Sequence, residues 1–248
     1  MQKTNSQIRE FDIWAKKILC VDKIFLRDII CVEVIFMRKI FLAAMFALIV
    51  SVQSFCSAAT IESAKFNGNE TLIYPVVHVA NPTVEKKING KIEEEISSFI
   101  KQLQYAAQYD NRKVLDARTS YEIGCNEAGG TVILSFIIIK SQYFEGAAHP
   151  GTWKHTLNFN TASGELMGMD YLTEVGEGVS PNEFKSRIER KLREKTEREK
   201  LFLFEDALPL KNLPENFYWD ENLHVHFIFQ HYEVAPYAAG IIDVDIDA

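Results

Sequence analysis

Residues 217–246 read FYWDENLHVHFIFQHYEVAPYAAGIIDVDI, a run with the alternation of paired β-strands. Leu223, Val225, Phe227 and Phe229 alternate with His224, His226, Ile228 and Gln230, the period-2 pattern of a strand with one buried face. The aromatic run Phe217-Tyr218-Trp219 precedes it across Asp220-Glu221-Asn222, residue types that tolerate a tight turn, so the pair reads as a hairpin. Val234-Ala235-Pro236-Tyr237 then breaks the ladder, because proline has no N–H to donate, and Gly240 opens a last strand over 241–246.

Upstream, 61–66 and 71–79 read as two short strands split by the turn Asn67-Gly68-Asn69. Asn81 offers a helix cap and Pro82 the first helical position, after which Val84, Ile88, Ile92, Ile96, Ile100 and Leu103 recur at helical spacing. The spacing predicts a helix over about 82–107, which Gly90 weakens by up to about 1 kcal/mol without breaking it. Strands over 114–125 and 131–144 form a long antiparallel pair across 126–130. In the second of them both parities are apolar, the mark of a central strand. Residues 145–151 interrupt it, and 153–159 resume as a strand that turns at 161–164. Ser180-Pro181-Asn182-Glu183 is a capping box, and Phe184, Ile188 and Leu192 mark the buried stripe of the helix that follows. Leu201 to Phe204 is expected to dock that charged helix on the core. The fold class expected is α+β, antiparallel sheets with two principal helices packed against them.

Several of these residues also match a known pattern. Tyr232-Glu233-Val234-Ala235-Pro236-Tyr237-Ala238-Ala239-Gly240 resembles the YEIAPYAxG signature of an extracytoplasmic domain family of unknown function. Its members include the sensor region of the lysozyme-sensing anti-sigma factor RsiV and the non-catalytic N-terminal part of the peptidoglycan deacetylase PdaC. Tyr143, Gly146, Ala148-His149-Pro150, Asn158-Phe159-Asn160-Thr161, Gly164 and Leu166 follow the family's second motif, with Ala147 and Asn160 departing from its glycine and aspartate. Tyr74-Pro75-Val76-Val77 and Ile88-Asn89 resemble its N-terminal part, so the halves are drawn as 60–144, PdaC-like, and 145–248, RsiV-like. The resemblance implies recognition of a cell-wall-related partner, such as a lysozyme-type protein or peptidoglycan.

Met37-Arg38-Lys39, the apolar run 40–50 and the small residues Ser57-Ala58-Ala59 match a secretory signal peptide over 37–59, with cleavage expected after Ala59. An uncleaved, outward-facing membrane anchor is the competing reading, and it is the one route by which the chain would touch a membrane. Met37 reads as the natural start and 1–36 as an upstream extension that comes from a wrong choice of start codon. With that region removed, Cys125 is left as one thiol, expected to be a small buried side chain rather than half of a disulfide.

The 248 residues carry a formal charge of −7, and 60–248 alone carry 19 Lys+Arg against 29 Asp+Glu, or −10. Such a domain repels a phosphate backbone, which argues against nucleic acid and favours a cationic partner. No serine elbow, phosphate-cradling glycine loop or paired-cysteine motif occurs. No enzyme activity, cofactor or metal is therefore expected, although His224 and His226 share a strand face and could join a zinc set if a third ligand arrived. The binding residues expected are Tyr143, His149, Pro150, Tyr232, Pro236 and Tyr237, on loops between long strands. A structural cluster satisfying loop carbonyls is the plainer reading of the same residues. Function is read as an exported, non-catalytic binding or sensor-type domain of the cell envelope. The alternatives are a cell-wall hydrolase or deacetylase using the histidines, and a purely structural envelope protein.

Overall fold

The computed structural model describes residues 58–175 and 180–247. The extension read at 1–36 and the export segment read at 37–59 fall outside these residues, apart from Ala58 and Ala59. Among the described residues no helix is long and apolar enough to cross a membrane.

Strands β1 (Thr60–Lys65) and β2 (Ile73–His78) form the expected antiparallel hairpin. Its turn needs a left-handed residue, and Asn67 takes φ 50°, a conformation asparagine tolerates better than most. Helix α1 (Pro82–Tyr109) follows, capped as its sequence requires by the Asn81 side chain, which accepts the Thr83 N–H at 3.0 Å. The apolar stripe is buried as read, except that Phe99 joins it and Ile100 lies at its margin.

Asn89, two turns into α1, shows why an asparagine suits that position. Its amide donates to the Val77 carbonyl and its carbonyl accepts the Val77 N–H, both at 2.8 Å. A helix side chain thus stands in for a strand partner, satisfying both polar groups of a fully buried residue on β2.

Strands β3 (Val114–Asn126), β4 (Ile133–Phe144) and β5 (Gly151–Asn160) make one antiparallel sheet in the order β3-β4-β5. The doubly apolar β4 is its centre, as its composition predicts. Leu134, Phe136 and Ile138 on one face of β4 and Leu157 and Phe159 on β5 pack with Val84, Ile88, Ile92 and Ile96 of α1. The boundary drawn between residues 144 and 145 lies in the hairpin that joins β4 to β5.

The sequence gives no sign of a seven-residue helix, α2 (Met169–Val175); it packs through Leu172, with Met169 and Tyr171 half-buried beside it, too short a pattern to register as periodicity. Helix α3 (Pro181–Glu199) begins at the predicted cap, Ser180 Oγ accepting the Glu183 N–H at 3.2 Å. Its stripe of Phe184, Ile188 and Leu192 packs in one cluster with the apolar face of a second sheet, β6 (Asn216–Trp219), β7 (Val225–Phe229) and β8 (Ile242–Asp245), ordered β6-β7-β8. After α3 the chain docks through Leu201 and Leu203, whereas Phe202 between them is 83% exposed.

One sequence expectation needs correction. β7 alternates as read, but its second face is not simply polar: Ile228 is 1% exposed and His226 is largely covered. The cause is β6, which crosses the β3–β5 sheet instead of lying in solvent. Asn158 on β5 donates its amide to the Phe217 carbonyl at 2.7 Å, and Ser135 on β4 accepts the Trp219 N–H at 3.3 Å. Both residues are buried, so these bonds satisfy groups that packing removes from water.

Candidate functional site

The β4–β5 loop and the β7–β8 loop lie some 80 residues apart in sequence and meet at one end of the sheets. His149 and Tyr237 stack with ring centroids 3.8 Å apart, and His231 stacks on the same tyrosine at 4.3 Å. Tyr232 lies beside Tyr237 at 5.9 Å and donates its hydroxyl to His149 Nε2 at 3.4 Å.

Carbonyl groups set the tautomers, because a carbonyl can only accept. His149 Nδ1 donates to the Pro150 carbonyl at 3.0 Å, which leaves Nε2 as the acceptor facing Tyr232. The Tyr237 hydroxyl donates to the same Pro150 carbonyl at 3.2 Å, and His231 Nδ1 donates to the Thr152 carbonyl at 3.2 Å. His149, Tyr237 and His231 are therefore each held by a backbone carbonyl, that of Pro150 or Thr152, while Tyr232 is held through His149. Tyr232 has φ 65° and is 58% exposed. A bulky side chain in the left-handed region costs about 1–2 kcal/mol, which the surrounding structure must offset.

Of the six residues read as a binding set, His149, Pro150, Tyr232 and Tyr237 come together. Pro236 adjoins them, its carbonyl accepting the Ala239 N–H of the turn that carries Tyr237. Tyr143 does not join: its hydroxyl closes its own loop on the Ala147 carbonyl at 3.2 Å. Ala147 is not among the residues with positive φ, while Gly146 next to it takes φ 77°, so alanine in place of the family's second glycine costs nothing there. Asn160 holds its turn by accepting the N–H groups of Ala162 and Ser163, a role an amide oxygen fills as well as a carboxylate. His231 belongs to the stack although the sequence offered no sign beyond its place beside Tyr232.

His224 and His226 occupy a different place, on the β6–β8 sheet. His226 Nδ1 lies 2.8 Å from Asp243 and its Nε2 lies 3.7 Å and 3.9 Å from Asp220 and Asp245, while His224 Nδ1 lies 3.1 Å from Asp245. The Tyr218 hydroxyl donates to Asp243 at 2.7 Å, and burial together with that carboxylate raises its pKa far above the ordinary phenol value. Among the described residues no group of three or more His, Cys, Asp or Glu side chains is placed to hold a metal ion. Cys125 is buried as expected, its thiol 3.5 Å from the Ile133 carbonyl, and burial pushes its pKa up.

Burial works to lower the pKa of His226, but the hydrogen bond and charge of Asp243, with Asp245 and Asp220 behind, outweigh it and the net shift is upward. A raised folded-state value means that the charged pair stabilises fully below the unfolded value near 6.5 and fades as pH rises through the folded value. His226→Gln is therefore expected to cost about 1–2 kcal/mol at pH 5.5 and clearly less at pH 9. Paired urea melts at the two pH values check this, and an equal loss at both would contradict it.

Residues 176–248 match the model of a family described as a protein of unknown function, DUF3298. The match takes in α3, β6 to β8 and the run 232–240; the motif resemblance over 74–166 lies outside it. Two solved structures of that family resemble the chain. A Bacteroides fragilis protein is 16% identical, covering 75% of this chain and 87% of its own, with a TM-score of 0.45. A Pseudomonas aeruginosa protein is 11% identical, covering 76% and 87%, with a TM-score of 0.44. No curated protein matches the chain.

Proposed function

We propose that the protein is an exported, non-catalytic binding domain of the bacterial cell envelope that recognises a cationic, lysozyme-type protein through the His149–Tyr237–His231–Tyr232 cluster. One observation carries the proposal: two sequence-distant loops converge on a stack of rings that backbone carbonyls hold in place and that solvent reaches. Rigid aromatic rings give large contact area for little lost side-chain freedom, which is why tyrosine recurs at protein-binding hot spots. The formal −10 of residues 60–248 supplies steering toward a basic partner. The resemblance of the 232–240 run to the RsiV sensor region favours the same partner class.

Binding of the full chain to hen-type lysozyme, at low and at physiological salt, tests the reading. Saturable binding that persists at physiological salt is expected, with Tyr237→Ala weakening it by about 2 kcal/mol, or roughly 30-fold, because both imidazoles lose their stacking partner. Binding that disappears as salt screens the charges would reduce the interaction to electrostatic attraction and remove the proposal.

A further inference from the structure

Away from the loop cluster, a cavity of about 250 Å³ lies between α1, the edge of β5 and the β7 end. Trp153, Gln102, Gln142, His155, Lys140 and Lys154 are among its lining residues. The volume is just below the roughly 300–1,000 Å³ typical of drug-sized ligands, so it admits about one ring.

Three features define what it would take. First, the indole of Trp153 is 39% exposed and rests on Gly151, where a Cβ would run into its six-membered ring; the glycine lets the ring lie flat against the strand. Second, the charges at the cavity cancel locally. Lys140 Nζ is 2.5 Å from Glu95, His155 Nδ1 is 2.9 Å from the same carboxylate oxygen, and Lys154 Nζ is 3.2 Å from Glu122. Third, the side-chain amides of Gln102 and Gln142 make no hydrogen bond to any described residue, whereas Gln230 is spent on the Lys154 backbone. What is left to a ligand is an aromatic face with amide donors and acceptors and no net charge.

We infer that this cavity is a binding subsite for a neutral pyranose of a glycan chain, with the C–H face of the sugar stacked on Trp153 and its hydroxyl or acetamido groups bonded to Gln102 and Gln142. An anion would find its cations already paired, and a cation would find its carboxylates taken. A hydroxylated ring needs both an apolar platform and groups that donate and accept, which an amide supplies together. The inference stands apart from lysozyme-type recognition, since it involves other residues and another class of ligand.

Titrating the full chain with soluble tetrasaccharides (chito-, cello- and malto-), with inorganic phosphate as the control, tests it by tryptophan fluorescence and calorimetry. At least one glycan is expected to give a saturable blue shift, lost in Trp153→Ala and weakened about tenfold in Gln142→Ala at an unchanged melting temperature. Gly151→Ala, which displaces the indole and leaves it present, is expected to weaken binding in the same way. If no glycan binds, if the Trp153→Ala and Gln142→Ala proteins bind as the parent does, or if phosphate binds in place of sugar, the assignment is wrong.

Discussion

Gly124→Val is expected to destabilise the protein by about 3 kcal/mol or more and to lower its melting temperature by roughly 6–12 °C. Gly124 lies on β3 where β6 crosses it, at a register shift between Ile123 and Cys125. A Cβ there would stand 2.5 Å from the Trp219 carbonyl oxygen and 2.6 Å from Tyr218 Cδ2. The first of these atoms is backbone, held by the Trp219 N–H bond to Ser135, and it cannot swing aside as a side chain would. The crossing strand must therefore move and expose part of the cluster in which Cys125 and Trp219 pack. Gly124→Ala, with one carbon rather than three, should fall between the two. Thermal melts followed by near-ultraviolet circular dichroism read both the loss and the displaced rings; a valine variant melting with the parent would mean that the two strands do not approach so closely.

Glu95→Gln is expected to cost about 3 kcal/mol at pH 7. Glu95 on α1 is 16% exposed at its side chain and ties the helix to the sheet, meeting Lys140 of β4 and His155 of β5. Burial works to raise its pKa, but hydrogen bonds and charge from His155 and Lys140 prevail and bring it down from 4.5 to about 2. A depressed folded-state pKa contributes stability that is complete above about 4.5 and drains away as pH falls toward 2. Glutamine keeps the shape but leaves the Lys140 ammonium, itself 16% exposed, without its carboxylate. The gap between parent and variant in chemical denaturation should thus be widest near neutrality and close progressively below pH 4.5. A gap that stays constant down to pH 2.5 would show that the carboxylate's charge is not what stabilises the contact.

These two sites and the loop cluster share a reason for being hard to foresee. Gly124 lies in a predicted strand with no sign that another strand crosses it, and Glu95 lies outside the apolar stripe by which its helix is read. His149 and Tyr237 were singled out by their motifs, but the stacking between them, and the place of His231 in it, depend on how two loops end up side by side. The short helix α2 is not legible because seven residues are too few to show a period.

Local chemistry was enough for the rest. The apolar stripe over 84–103 specifies α1, since a 3.6-residue period can bury one face only as a helix. Asn81-Pro82 and Ser180-Pro181 set the starts of α1 and α3, because a side chain must satisfy the first free N–H groups. The doubly apolar β4 takes the middle of its sheet because both of its faces must leave water. Sequence by itself thus determined the two long helices, the strands, their order and the α+β class, through interactions that span a few residues. Only the tertiary structure decided which faces meet: where β6 crosses β3, which carboxylate anchors α1, and which rings stack at the loops. Those contacts join residues tens of positions apart, and their geometry comes from the packing of whole elements rather than from any pattern along the chain.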